Sequence, residues 1–141
     1  MVRVKDYEIP DDLYYSMDHM WMKIEDEKTV KTGVTEFFVK HYPNISFIEL
    51  KEVGEKVQQT LTVGKVETIK GSVNLYAPVS GTVKTVNQEV RSKPKLLYEE
   101  PYIRGWLLAI EPSNLNNEKR KLLTAKEYAD HIKRIIEMVG L

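Results

Sequence analysis

Short apolar runs separated by turn residues fill most of the chain. Between residues 21 and 112, runs rich in Val, Ile, Thr and aromatic residues are broken by Gly, Pro and Asn, which is typical of small antiparallel β folds. The predicted strands are residues 21–24, 30–34, 45–50, 62–69, 73–77, 81–86 and 106–111. In strand 45–50, Phe47 and Ile48 lie on opposite faces, so neither face is wholly polar and burial on both faces is expected.

Two segments have the pattern of helices. A short helix is predicted from Thr35, which can cap its N-terminus, to Tyr42, with Pro43 stopping it. Near the C-terminus, residues 124–127 form a capping box, and Gly140 stands where a helix would end. Apolar residues fall at helical spacing between these points: Ala125, Tyr128, Ala129, Ile132, Ile135, Ile136 and Val139.

This amphipathic C-terminal helix is expected to pack on the β body, although a partner-binding helix has the same pattern. The polar, Asn-rich residues 112–121 read as a linker. With 141 residues, one compact domain is expected, comprising an N-terminal arm at 1–20, a β-sandwich at 21–112 and the helix at 124–139.

Composition excludes several function classes. The chain has 21 basic and 21 acidic residues, interspersed, so no nucleic-acid or anionic-membrane footprint stands out. It has no cysteine, which excludes disulfides, thiol nucleophiles and cysteine metal sites. No apolar run approaches the length of a membrane span, so a cytoplasmic protein is the expectation. The three histidines, His19, His41 and His131, have no nucleophile or metal spacing, which argues against an enzyme.

Lys70 is the candidate for chemistry. A carrier lysine must project from a tight turn, and Gly71 beside it permits the positive φ that such a turn needs. Those two residues alone also fit an ordinary solvated hairpin end. The segments 53–57 and 79–83 share the form Val, small, polar, Val on either side of Lys70, which suggests two similar half-sheets with a turn between them.

The surroundings of Lys70 resemble a known family. Residues 66–81 read Val-Glu-Thr-Ile-Lys-Gly-Ser-Val-Asn-Leu-Tyr-Ala-Pro-Val-Ser-Gly. This closely resembles the lipoyl-lysine region of glycine cleavage system H proteins, roughly Val-Glu-Ser-Val-Lys-Ala, three variable residues, a hydrophobic residue and Tyr-Ala-Pro-Val-Ser-Gly. Further ordered matches are Tyr15, His19, Trp21, and residues 33–36, 47–50, 52–54, 100–102 and 105–106.

The resemblance implies a mainly β fold, a flattened barrel-sandwich hybrid of two antiparallel sheets with Lys70 on a hairpin tip and a helix closing the C-terminal end. It implies lipoate on Lys70, with Glu67, Ile69, Gly71 and Asn74 as the context of the turn. Biotin carriers share the architecture, but their acceptor resembles Met-Lys-Met, so lipoate is favoured. The strained dithiolane of lipoate supplies the thiol chemistry that a chain without cysteine lacks.

In the family, as the resemblance implies, the arm carries an aminomethyl group from a pyridoxal-phosphate glycine decarboxylase to a tetrahydrofolate aminomethyltransferase. Dihydrolipoamide dehydrogenase reoxidises it, and a lipoate ligase or lipoyl transferase attaches it. The arm would shelter on a surface that corresponds here to His19, Met20, Glu36 and Phe37.

Several positions depart from the family pattern. Met20 replaces an acidic residue, Phe37 a frequent His and Asn74 an Asp, while Pro43-Asn44 and Tyr98 also differ. Two interpretations follow: drift within a glycine-cleavage carrier, or an H-like lipoate-binding protein that carries sulfur intermediates for a heterodisulfide-reductase-like complex. A third alternative is an unmodified interaction module.

Overall fold

The computed structural model describes residues 1–140 and builds them mainly from β-strands. The strands are β1 (Val2–Val4), β2 (Tyr7–Ile9), β3 (Tyr14–Tyr15), β4 (Met20–Asp26), β5 (Thr29–Val34), β6 (Phe47–Leu50), β7 (Lys56–Val57), β8 (Thr62–Thr68), β9 (Gly71–Tyr76), β10 (Gly81–Val86) and β11 (Leu108–Pro112). The helices are α1 (Glu36–His41), α2 (Gln88–Ser92), α3 (Leu96–Glu99), α4 (Leu115–Lys119) and α5 (Ala125–Val139).

Two antiparallel sheets form the body. One has six strands in the order β3-β4-β5-β11-β10-β7, and the other has three in the order β6-β8-β9. The main core lies between them and includes Met20 and Val34 from the first sheet with Ile48, Val66 and Leu75 from the second. Neither sheet closes on itself, so the predicted flattened barrel-sandwich is confirmed.

A second core lies on the other side of the six-stranded sheet. It joins the β1-β2 hairpin, β4 and α5 through buried residues that include Ile9, Tyr15, Trp21, Tyr128 and Ile132. The first three residues of β4 are therefore buried on both faces, with Trp21 in the second core and its neighbours Met20 and Met22 in the main core. Alternation of side chains along the strand explains this division.

The two helices predicted from the sequence are present with the predicted ends. Thr35 caps α1 by accepting a hydrogen bond from the Phe38 amide, and Tyr42 is its C-cap. At α5 both hydrogen bonds of the capping box between Thr124 and Glu127 are formed. Gly140 ends α5 in the left-handed conformation with φ 72°.

The prediction that residues 45–50 are buried on both faces is wrong for β6, although Ile45, which precedes this strand, is buried. Ile48 and Leu50 are buried, but Phe47 and Glu49 are exposed. The reason is that only the inner face of the three-stranded sheet meets the main core, while the outer face of β6 is open to solvent.

Several short elements have no counterpart in the sequence prediction. They are the hairpin β1-β2 within the N-terminal arm, strands β3 and β7, and helices α2, α3 and α4. Helix α4 lies in the predicted linker, and its Glu118 is buried because its carboxylate accepts hydrogen bonds from the Ser80 amide and hydroxyl at 2.7 and 2.6 Å. Each of these strands and helices has five residues or fewer, which is too short for hydrophobic periodicity to reveal.

The two similar segments noted on either side of Lys70 pair with each other. In β7 and β10, Val57 lies opposite Gly81 and Lys56 opposite Thr82. The Gly54 amide also donates to the Val83 carbonyl at 2.9 Å. The similarity therefore corresponds to an antiparallel pair, which has local twofold symmetry.

Replacement of Tyr128 tests how much its hydrogen bonds stabilise the second core. Its hydroxyl oxygen lies 2.8 Å from His19 Nδ1 and 2.8 Å from Thr35 Oγ1, and its ring is fully buried. We expect Tyr128→Phe to lower the free energy of unfolding by about 1 to 2 kcal/mol, because both polar partners lose a hydrogen bond. Urea denaturation measures this as a lower midpoint with an unchanged slope.

Tyr14→Phe is the matched control, since within residues 1–140 the Tyr14 hydroxyl makes no hydrogen bond and its contact with Lys119 is made by the ring, whose centroid lies 5.8 Å from Lys119 Nζ. It should unfold within about 0.5 kcal/mol of the unmodified chain. Equal losses in the two variants would contradict a structural role for the Tyr128 hydroxyl.

Candidate functional site

Lys70 lies in a two-residue hairpin loop. Strands β8 and β9 pair up to Thr68 and Gly71, so that Ile69 and Lys70 alone connect them. Gly71 has φ 121°, which confirms the positive φ expected from the sequence. The loop is therefore as short as a hairpin normally allows, and it holds the lysine at the outer end of the two strands.

The side chain of Thr68 holds this loop in place. Its hydroxyl oxygen accepts a hydrogen bond from the Lys70 amide at 3.1 Å and donates one to the Gly71 carbonyl at 3.0 Å. A hydroxyl that bonds its own backbone two residues on is a common way to fix a turn. The position of Lys70 thus depends on local contacts and not on the core.

Glu67 lies at the base of the loop in a small polar group. The Ser72 hydroxyl donates to its carboxylate at 2.8 Å, and Lys65 Nζ lies 3.4 Å from the same carboxylate. The Ser72 hydrogen bond, with help from Lys65, lowers the pKa of Glu67, which therefore stays ionised. The loop is thus flanked by a fixed negative charge.

The space around the loop is open. Lys70 is exposed, Ile69 is 78 % exposed, and a Cβ built on Gly71 would meet no atom within 4 Å. Asn74, also exposed, lies further along β9 opposite Lys65. The residues expected from the sequence around Lys70 are therefore together in one hairpin, and an attached arm would meet no obstruction at the loop.

The four residues expected to shelter the arm do not form one open surface. Met20 is only 1 % exposed and belongs to the main core, and Phe37 is 5 % exposed and belongs to the second core. For these two residues the expected surface position is wrong, because they lie where the two cores meet the ends of β4 and β5. Their apolar identity serves packing.

The other two residues are partly buried and already have partners. Glu36 accepts a hydrogen bond from the Glu8 amide at 3.0 Å and lies 3.4 Å from Lys40 Nζ. The ring of His19 lies 4.9 Å from that of Phe37, between centroids. Docking of an arm at this place stays a prediction.

Two histidines, His19 and His41, contact the ring of Phe37, and the third, His131, contacts His19. The ring centroid of His41 lies 4.2 Å from that of Phe37, and His131 stacks on His19 at 5.6 Å. Burial, followed by the nearby His131 and His41, lowers the pKa of His19 to about 4. Their wide separation in sequence gave no sign of this cluster.

The roles of three residues of the site were not predicted from the sequence. Thr68 fixes the loop, Ser72 orients Glu67, and Phe47 lies exposed opposite Glu67 on the neighbouring strand β6. The family pattern has Ser where Thr68 stands, which was a usable signal for a hydroxyl. Phe47 gave the opposite signal, because an aromatic residue in a strand is usually read as core.

Within residues 1–140, no group of three or more acidic or histidine side chains could hold a metal ion. In the same part of the chain, every helix is too short or too polar to cross a membrane.

Comparison with known proteins gives the family. The family model described as "Glycine cleavage H-protein" matches residues 13–135. The chain belongs to the glycine cleavage H-protein family. A probable glycine cleavage system H protein of Thermococcus gammatolerans is 36 % identical over 135 residues, covering 96 % of this chain and all of that one.

Other members of the H-protein family agree. The glycine cleavage system H protein of Bacillus subtilis is 40 % identical over 122 residues, covering 86 % of this chain and 94 % of its own. The crystal structure of an H protein from Mycobacterium marinum matches with a TM-score of 0.79 and 33 % identity, covering 94 % of this chain and all of that chain. The fold is therefore that of the H-protein family over nearly the whole chain.

The loop geometry yields a test at Thr68. In Thr68→Val the Lys70 amide loses its acceptor, and we expect its hydrogen exchange to become about fivefold faster. Thr68→Ser, which matches the H-protein family pattern, keeps the hydroxyl and should exchange like the unmodified chain. Unchanged exchange in Thr68→Val, measured by NMR, would show that another contact holds the loop.

The histidine cluster yields a test by pH. An unfolded histidine titrates near pH 6.5 and folded His19 near pH 4, so between these values only the unfolded chain binds the proton. Stability should therefore fall as the pH is lowered through this window, by at most about 3 kcal/mol from His19.

Urea unfolding between pH 7 and pH 4 measures this loss. His19→Gln cannot titrate, so it should lose less stability over the same range than the unmodified chain. Identical pH dependence in the two proteins would rule out His19 as the cause.

Proposed function

We propose that this chain is the lipoyl carrier of a glycine cleavage system, with lipoate in amide linkage on Lys70. The observation that carries the proposal is an exposed lysine in a two-residue hairpin loop, in a chain that matches the H-protein family over residues 13–135. The matched stretch includes Lys70 and the motif around it.

The residues around Lys70 fit a long attached arm. Open space at Gly71 leaves room for the arm, while the Thr68 hydrogen bonds keep its point of attachment fixed. When bound, lipoate supplies a strained disulfide that reacts by thiol chemistry. The chain itself supplies position, because a tethered group reaches a high local concentration in the active site of a docked enzyme.

The cargo and partners follow from the proposed role. The carrier would receive an aminomethyl group at glycine decarboxylase, deliver it at the aminomethyltransferase, and return to its oxidised form at dihydrolipoamide dehydrogenase. A lipoate ligase or lipoyl transferase would modify Lys70. On this proposal the chain performs no catalysis of its own, and the cytoplasm stays its predicted location.

The other two interpretations receive no support. The matched relatives are named as glycine cleavage proteins, and not as sulfur carriers or unmodified binding modules. Met20 and Phe37, two of the departures that suggested a different cargo, are buried, so packing accounts for their apolar side chains.

Replacement of Lys70 tests the attachment site. When the protein is made with lipoate and a lipoate ligase, intact-mass analysis should show one lipoyl group on the wild-type protein and none on Lys70→Arg. Lys65→Arg replaces another lysine of the same hairpin. Because Lys65 lies within strand β8 and not in the loop, this variant should still receive one lipoyl group, on Lys70. A lipoyl group on Lys70→Arg would contradict the assignment.

Reconstitution tests the cargo. The lipoylated chain, mixed with the other glycine-cleavage components, should support exchange between glycine and bicarbonate, and Lys70→Arg should support none. Lipoylated protein without exchange activity would contradict the glycine-cleavage role while leaving the carrier role intact.

A further inference from the structure

Two large hydrophobic side chains lie exposed beside Lys70. Ile69, its neighbour in the loop, is 78 % exposed, and Phe47 is 54 % exposed. Phe47 pairs across strands with Glu67, which pairs with Ser72, and direct cross-strand neighbours share a face of the sheet. Phe47 therefore lies on the outer face, two residues or roughly 7 Å along the strand from the loop.

We call Phe47 and Ile69 the tip patch. Phe47 and Ile69 belong to neither core. A single exposed hydrophobic side chain is ordinary on a protein surface. Here one lies beside the acceptor lysine in the loop and the other on the neighbouring strand β6, so an enzyme that covers this end of the sheet meets an apolar surface.

Near the tip patch, carboxylates outnumber ammonium groups once Lys70 is set aside. Glu67 lies beside Phe47 on the outer face, and the next row of that face contains Glu49, Lys65 and Asn74. Once the Lys70 amine is inside a partner's active site, two carboxylates and one ammonium remain. The surface that borders the tip patch is then net acidic, and a cationic surface complements it.

We propose that the tip patch is the docking surface for the enzyme that attaches lipoate to Lys70, an acyl ligase or transferase whose active-site rim is apolar and cationic. This inference rests on the proposed function. The rim would cover Phe47 and Ile69 while the Lys70 amine enters the active site.

Position distinguishes this enzyme from the other partners. The attaching enzyme must bring its catalytic groups to Nζ of Lys70 itself, and so it must cover the residues adjacent to that side chain. An enzyme that loads or unloads the arm works at the far end of the lipoyl chain, many bonds away. It has no need to contact Ile69 or Phe47.

The test uses the full-length protein without bound lipoate. A purified lipoate ligase is supplied with lipoate and ATP, and intact-mass analysis measures the rate at which it modifies the protein. Phe47→Ser and Ile69→Ser should each lower kcat/KM by about tenfold, mainly through a higher KM, because each removes an anchor of the docked complex. Phe47→Tyr keeps the ring and should restore the normal rate. Higher salt should slow the reaction by screening the cationic rim.

Matched controls come from the same chain. Leu61 is 54 % exposed at the opposite end of β8, and Ile103 is 72 % exposed in the loop after α3. Leu61→Ser and Ile103→Ser should be modified within about twofold of the normal rate. Urea unfolding of each variant checks that the fold is kept.

Three outcomes would overturn the proposal. In the first, both tip-patch variants are modified as fast as the Leu61 and Ile103 controls. In the second, lipoylation is normal but the lipoylated Phe47→Ser protein is loaded slowly by glycine decarboxylase, which would assign the patch to that enzyme. In the third, the rate is independent of salt, which would exclude the cationic rim.

Failure of the proposed function looks different. In that case the ligase adds no lipoyl group to Lys70 of the wild-type protein or of any variant at position 47 or 69.

Discussion

Burial of the start of strand β4, residues 20–22, on both faces is the constraint on which the rest of the structure depends. Met20 and Met22 fill the core between the sheets, while Trp21 fills the core under α5. The indole of Trp21 donates to the Pro101 carbonyl at 2.9 Å, and it packs where Gly33 has no side chain; a Cβ there would come within 2.8 Å of the ring. Because one strand serves both cores, the hairpin β1-β2, the six-stranded sheet and α5 form one body.

The three-stranded sheet has no such second layer. Its inner face closes the main core through Ile48, Val66 and Leu75, and its outer face is open. This asymmetry leaves Phe47 exposed near Lys70 and keeps the chemistry of the loop apart from the packing of the core. Thr68 fixes the loop by local hydrogen bonds, so the proposed acylation of Lys70 would change a charge at the surface without disturbing a buried contact. A carrier that passes between several enzymes benefits from this separation.

The two cores also explain where this chain differs from the family pattern. Phe37 packs edge-to-face on Tyr7 of the N-terminal hairpin at 5.1 Å, and Met20 lies between the sheets. Large apolar side chains at these positions follow from the space that the two cores leave. The rings of His19, His41 and Phe37 cover the same region, so burial lowers the pKa of His19 there.

The sequence by itself determined the main strands, both capped helices and the lysine in its turn, because these depend on contacts between residues close in the chain. The capping box of α5 and the positive φ of Gly71 are examples. The tertiary structure alone decided which faces are buried. The pattern of β6 does not reveal that only one of its faces is covered, and the burial of Met20 and Phe37 depends on the two cores that form around them. Burial depends on the layers that cover a strand, and those layers come from distant parts of the chain.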